Sequence, residues 1–279
     1  MNDNSRLKKV NSHPLSQEEL NNYLEDLLDC KVFKDYCPNG LQVEGKKEIT
    51  KIAFAVSADL ISIKKAIEWG ADALIVHHGL FWKSSSHFTL TGPTYQRIQQ
   101  IMQAKMNLWA YHLPLDAHLE CGNAVYIAKN LGLINIRPFY GTDPFPYGVQ
   151  GSFANKNGVS ALNLAKKLEK ICQHSVIGNY VAMPKTESNH KCHQIGIVTG
   201  GASLGFQWAS IEKNLPRIDT YITGEMKENS WHESLELGIK MFACGHHATE
   251  RGGVLLLKDN LESKFSRIKC KFFDSLNLA

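Results

Sequence analysis

Apolar residues return along this chain in two rhythms. From Ser16 to Leu28 they recur every three to four positions, which predicts a helix. Ser16 stands at its start with Glu19 three residues on, the arrangement of a capping box. The stretch DYCPNGLQVEG, ending at Gly45, carries the turn signal Pro38-Asn39-Gly40. Short apolar runs and helical periods then alternate. Strands are predicted at Ile52–Val56, Ala71–Val76 and Leu108–His112, and helices at Leu60–Trp69, about Tyr95–Ala104 and Asn123–Leu131. Gly132 is placed to end the last of these. Such β-α-β-α-β alternation predicts an α/β layer architecture.

The segment FYGTDPFPYG (139–148) breaks the rhythm with Pro, Gly and aromatic residues and reads as a passage to a second unit. That unit is expected to hold a helix over Ser160–Cys172, a polar loop over Lys185–His193 and a strand over Gln194–Thr199. A helix over Phe206–Asn214, a strand over Thr220–Thr223, a helix over Ser230–Leu237 and a strand over Met241–Cys244 follow. A final helix begins near Thr249, and Lys269–Phe273 reads as a strand. WGADALIVHHG (69–79) is echoed by LGIKMFACGHH (237–247): a Gly turn, a buried strand and a His pair at its end.

Composition changes this picture little. The 279 residues, 43% hydrophobic and 21% charged, suffice for one large or two modest domains. No apolar run approaches the roughly 20 residues of a membrane helix, and Met1–Val10 lacks the apolar core of a signal peptide. The expectation is a cytoplasmic protein without membrane partners. A net charge of +4, with no basic run or stripe, points to no nucleic-acid partner. The seven cysteines form no CxxC pair and read as reduced structural thiols.

The chemistry gathers at predicted strand ends, where open α/β sheets collect ligand sites. His77 and His78 follow a buried strand; adjacent side chains diverge, so each could hold a different ion of a pair, or the two could be an ordinary hydrogen-bonded pair. Asp116 lies in YHLPLDAH (111–118), where Pro114 predicts an extended, stiff loop. A carboxylate there suits a divalent ion, or a helix N-cap. In GHHATERGG (245–253), His246 and Glu250 stand four apart, a common two-ligand spacing if the segment is helical, or a solvated i,i+4 pair. His247 is the alternative ligand, and Thr249 and Arg251 could orient the carboxylate. Oxygen and nitrogen donors without thiolate fit Zn, Fe or Mn. A pair of such ions would activate water as a nucleophile, which implies hydrolysis.

Weaker features remain open. TGGASLG (199–205) could present amides to an anion or be a packing turn. Glu225 could reach the site or cap a helix, and HKCH (190–193) reads as an exposed loop. Among His87, His112 and His118, His112 is the expected pocket residue; the expected nucleophile is metal-bound water, and no side chain is assigned as catalytic.

DYCPNGLQVEG, ADALIVHHGLFW, YHLPLDAHLECGNA, ITGEMKE and CGHHATERGG together resemble the GTP cyclohydrolase I type 2 homologue family, the Nif-three-like proteins, with the short YbgI-like form nearest. The motifs run from about residue 36 to 253. The resemblance implies a two-lobed α/β fold with a dinuclear metal site in the inter-lobe cleft. It maps the ligands onto His77, His78, Asp116, His246 and a bridging Glu250, with two divalent ions per chain. It implies a first lobe of residues 15–138 plus 246–279, a second of 139–245, and a tail of 1–14. It also implies a toroidal homohexamer and a nucleotide substrate, GTP plus water giving formate and dihydroneopterin triphosphate. A non-catalytic metal-binding or trafficking protein, and a regulatory interaction protein, are the alternatives.

Overall fold

The computed structural model describes residues 14–83, 89–141, 146–184, 191–208 and 217–279. The chain runs α1 (Gln17–Leu28), β1 (Gly40–Val43), β2 (Lys51–Ser57), α2 (Leu60–Glu68), β3 (Ala73–His78), α3 (Gly92–Gln103), β4 (Asn107–Ala110), α4 (Leu113–Ala117) and α5 (Asn123–Leu131). It continues through β5 (Ile134–Phe139), β6 (Gly148–Ser152), α6 (Ala161–Cys172), β7 (Ile177–Gly178), β8 (Gln194–Ile197), β9 (Thr220–Thr223), α7 (Glu228–Glu236) and β10 (Lys240–Ala243). It closes with α8 (His246–Thr249), α9 (Arg251–Lys264) and β11 (Lys269–Phe272).

Two sheets result. The first has the order β11-β2-β3-β4-β1, parallel except for β1. The second has the order β7-β10-β9-β8-β6-β5, with a parallel centre of β8, β9 and β10 and antiparallel flanks. The predicted α/β architecture is observed. Burial on both faces explains the continuous apolar runs of β2 and β3. Ile52, Phe54 and Val56 face a core with α1 and α9, while Ala53 and Ala55 face a core with α2 and α3. The second sheet packs Val149, Ile197, Ile222 and Phe242 against α5 and α6. α5 also packs against α9, so it lies between the sheets. After β10 the chain returns, and β11 pairs with β2 of the first sheet.

Several elements shift from their predicted bounds. Ser16 caps α1 by accepting from Glu19 N at 3.0 Å, but Glu19's carboxylate pairs with Arg267 instead of closing the box. α3 begins at Gly92 because Pro93 suits a first helical turn, where no N–H is needed. For the same reason the extended loop expected at Pro114 is wrong: Leu113–Ala117 is a short helix with Pro114 in its first turn. β3 runs on through His78, paired with Ser57 of β2, so the two histidines belong to the strand rather than following it. The loop expected at HKCH is corrected in part: Lys191–Cys192 pairs with Val159–Ser160, and Cys192 is buried. His190, His87 and most of the helix expected over Phe206–Asn214 lie outside the described residues. No helix among the described residues is long and apolar enough to cross a membrane.

Asp72 locks the first sheet together. Its carboxylate accepts from Thr50 N, Thr50 Oγ1 and Lys51 N at 2.7–3.0 Å and from Lys46 Nζ at 2.6 Å. Burial works against the charge, but Lys46 and Thr50 hold the carboxyl below the usual range. Its stabilisation is therefore complete above the ordinary carboxylate pKa and fades as pH falls through the lowered folded value. Asp72→Asn is expected to cost about 2 kcal/mol at neutral pH. In urea unfolding series, the wild-type and variant stabilities should converge in acid.

Candidate metal centre

The carboxyl ends of both sheets' strands meet at one place. β3 delivers His77 and His78, and the turn after β4 delivers His112 and then Asp116 on α4. From the other sheet, β8 leads into Thr199-Gly200, β9 into Glu225, and β10 into His246. These last three loops are tied in series: Gly224 N donates to Gly200 O at 3.1 Å, and Gly245 N to Gly224 O at 3.0 Å. The echo between the two HH segments is thus two βα corners that face each other.

All five residues expected as ligands are brought together. His77 Nε2 lies 3.6 Å from Asp116 Oδ2 and 3.6 Å from Glu250 Oε1. Glu250 Oε2 lies 3.2 Å from His78 Nε2, and its Oε1 lies 3.4 Å from His246 Nε2. Two groups sharing Glu250 result, His77-Asp116-Glu250 and His78-His246-Glu250, and in each the donor atoms lie within 4.8 Å of one another. The helix carrying GHHATE breaks at Glu250, between α8 and α9, yet the pair still shares one side.

Each donor is aimed by a partner. His77 Nδ1 donates to the Tyr111 carbonyl at 2.9 Å, which turns Nε2 inward. His78 Nδ1 bonds Ser57 Oγ at 3.1 Å, and His246 Nδ1 bonds Glu225 Oε1 at 2.6 Å. Asp116 Oδ1 accepts from Asn123 Nδ2 at 2.8 Å and from Thr199 Oγ1 at 3.3 Å. Asp116 is therefore no helix cap; Gly122 occupies that place for α5. Glu225 is no cap either, since α7 is capped at Lys227.

Charge is concentrated here. Burial alone would raise Glu250, but His77, His246 and His78 hold its carboxyl well below the usual range. Burial raises Asp116. Burial opposes protonation of His77, yet Asp116 and Glu250 outweigh it and lift the imidazole to about 9. Glu250 raises His246 to about 9 against burial, with Glu225 adding to the effect. Burial pushes His78 down to about 3; Glu250 resists, and the other three histidines reinforce the fall. Two buried atoms, His77 Nε2 and Glu250 Oε2, have no hydrogen-bond partner.

Gly200 permits this packing. Its φ of +65° favours glycine, and a Cβ there would stand 2.2 Å from Glu250 Oε1. TGGASLG is therefore a close-packing turn whose Gly200 N donates to Thr249 Oγ1 at 3.1 Å. Thr249 braces that turn, while Arg251 points away from the Glu250 carboxylate. Arg251 bonds Asp274 at 2.8 Å and Gln173 at 3.1 Å, and His247 lies 3.3 Å from Asp274. These residues line a separate cavity of about 510 Å³. His118 is structural, bonding Leu27 O and two following amides.

A cavity of about 320 Å³ opens onto Asp116, His246 and Glu250, and His112 lines it as expected. His112 Nδ1 bonds Asp35 Oδ1 at 2.7 Å. Asp35, Asn123 and Gly200 carry site geometry that the sequence reading did not assign to them. Asp35 was signalled only as an acid heading the DYCPNG turn, and Asn123 only as a helix start.

The Duf34/NIF3 (NGG1p interacting factor 3) family profile matches residues 15–277. A Chlamydia pneumoniae protein named GTP cyclohydrolase 1 type 2 homolog is 38% identical over 260 residues, covering 93% of this chain and 98% of its own. The solved structure of protein ybgI, described as of unknown function, superposes with a TM-score of 0.84 at 32% identity, covering 95% of this chain and all of its own. TTHA1606 from Thermus thermophilus gives a TM-score of 0.79 at 32% identity, covering 94% of this chain and 99% of its own. With both its sequence and its fold so matched, the chain belongs to the Duf34/NIF3 family.

Proposed function

We propose that this protein holds two divalent ions between its sheets and uses them for hydrolysis. His77, Asp116 and Glu250 would hold one ion, and His78, His246 and Glu250 the other, with Glu250 bridging. The observation that carries this reading is the pair of orphaned buried atoms, His77 Nε2 and Glu250 Oε2, inside the cluster. A native fold leaves few such atoms without a partner. The spacings fit as well. Donors about 2.1 Å from a tetrahedral ion stand roughly 3.4 Å apart, and the donor pairs measured here lie at 3.2–3.6 Å. At 3.6 Å the His77 contacts are too long for hydrogen bonds. The donor set suits Zn, Fe or Mn.

When bound, such ions supply Lewis acidity and lower the pKa of water. The chain's own residues do the rest. Tyr111 O and Glu225 fix the tautomers of His77 and His246, and Asn123 fixes Asp116. His112, turned by Asp35 into the cavity, is placed to hold or pass a proton beside the reacting group. The relatives' name supports a purine nucleotide substrate, with GTP and water giving formate and dihydroneopterin triphosphate as the reaction to test. The assembly we carry forward is a homohexameric ring, to which the exposed Tyr95 and Met102, on one face of α3, offer apolar contact.

Protein expressed in metal-rich medium should carry about two divalent ions per chain by elemental analysis; metal-free protein would sink the reading. Glu250→Ala should lose most of that metal while keeping its folded assembly, as read by scattering and circular dichroism. Gly200→Ala, which drives a methyl into Glu250, should lower metal content too and cost about 1–3 kcal/mol in thermal unfolding. With a nucleotide panel, formate release by the loaded wild type and its absence in Glu250→Ala would support hydrolysis. A loaded protein inert towards every nucleotide would leave a metal-binding role without catalysis.

A further inference from the structure

Beyond the parts played by Asp35 and Gly200, three sequence motifs have residues the metal cluster does not use: DYCPNG, FYGTDPFPYG and TGGASLG. They converge on the cavity of about 320 Å³ above that cluster. DYCPNG supplies Tyr36 from the first sheet's side, and FYGTDPFPYG supplies Tyr140 and Tyr147 from the second sheet's side. Tyr36 is 65% exposed, unusual for so large an aromatic residue, and its ring meets His112 edge-on at 6.4 Å. Tyr147 N donates to Tyr140 O at 2.7 Å, which holds those two tyrosines side by side. Tyr140 is buttressed edge-on by Trp208 at 6.3 Å. Tyr147 is partly buried, and that burial raises its hydroxyl above the ordinary value.

The charges are ordered from floor to rim. Asp116 and Glu250 lie at the floor, buried and acidic. Lys34 stands exposed at the rim and is the one lysine or arginine among the described residues that line the cavity, apart from the imidazoles of the cluster below. A ligand entering this space meets a positive group first, aromatic faces next, and the metal cluster last.

We infer that this cavity binds a planar aromatic or heteroaromatic ring carrying one anionic substituent, the ring held among Tyr36, Tyr140 and Tyr147 and the anion turned outward to Lys34. The inference rests on the proposed metal site as the place of reaction. Tyrosine faces receive rings without regard to their hydrogen-bond pattern, so shape and the single anion set the selectivity. A ring edge directed at the floor would place a C–N or C–O bond beside the cluster, with His112 alongside.

The test uses purified full-length protein with guanosine monophosphate, guanosine and ribose 5-phosphate as probes, read by calorimetry. Guanosine monophosphate should bind at least about tenfold tighter than ribose 5-phosphate, the gain from a stacked ring. Guanosine should bind more weakly than its monophosphate, and Lys34→Ala should remove that difference. Tyr36→Ala with Tyr147→Ala should bring guanosine monophosphate to within about twofold of ribose 5-phosphate, while the corresponding Phe pair keeps the ratio. Equal binding of the two phosphates, no binding of any probe, or a ratio that survives the double Ala variant would each overturn the inference. Metal content, measured on the same samples, judges the metal reading separately: ring selectivity without metal would sink that reading and leave the ring pocket standing.

Discussion

A carboxylate buried as deeply as Glu250 must be met by positive charge or by donors, and much of this structure follows from that demand. Three histidines answer it: His77 and His78 from a strand of the first sheet, and His246 from the short helix after a strand of the second. Isolated burial of such a charge would be prohibitive. The cluster therefore needs both sheets at fixed distance, and the return of the chain through α8, α9 and β11 supplies that tie. Glu250 sits at the break between α8 and α9, where the second sheet hands the chain back to the first.

The parallel strands explain why the meeting place is where it is. β2, β3 and β4 end on one side of the first sheet, and β8, β9 and β10 end together in the second. Loops beyond parallel strands are free of the register that binds the strands themselves, yet here they stay tied by the Gly200–Gly224–Gly245 series of backbone bonds. That series keeps Glu225 and His246 at hydrogen-bond distance. Gly200 is the tightest point of the arrangement. A side chain there would push Glu250 out of reach of His246, so a residue with no functional group determines whether the functional ones can meet.

The cluster's acid–base character follows from the same geometry. His77 and His246, facing the carboxylates, are held cationic near neutral pH, while His78, buried and beside other imidazoles, stays neutral. Protons and divalent ions compete for such donors. The same polar partners that hold the imidazole orientations serve either occupant, which is why Tyr111 O, Glu225 and Asn123 matter as much as the donors they aim. Outside the cluster, His247 and Arg251 show the contrast: these residues of the same motif turn to Asp274 instead.

The α/β architecture, most helices and the five cluster residues were legible in the sequence, because they rest on local rules. Apolar runs such as Ile52–Val56 announce doubly buried strands, and strand ends followed by His, Asp or Glu announce a site. What local rules could not decide was direction. Pro114 reads equally as a helix breaker and as a first-turn residue, and the packing of α4 chose the second. Arg251 had the stronger claim to brace the cluster and Glu225 the weaker, until the tertiary fold turned the first away and the second inward. Asp35 and Gly200 were silent because their roles exist only across the chain, at contacts 77 and 49 residues distant, while Asn123 was hidden by its place at a helix start although it reaches Asp116 only seven residues back. The sequence by itself determined which residues could gather around metal; the tertiary structure alone decided which partners aim them, since orientation belongs to pairs of segments that no local pattern connects.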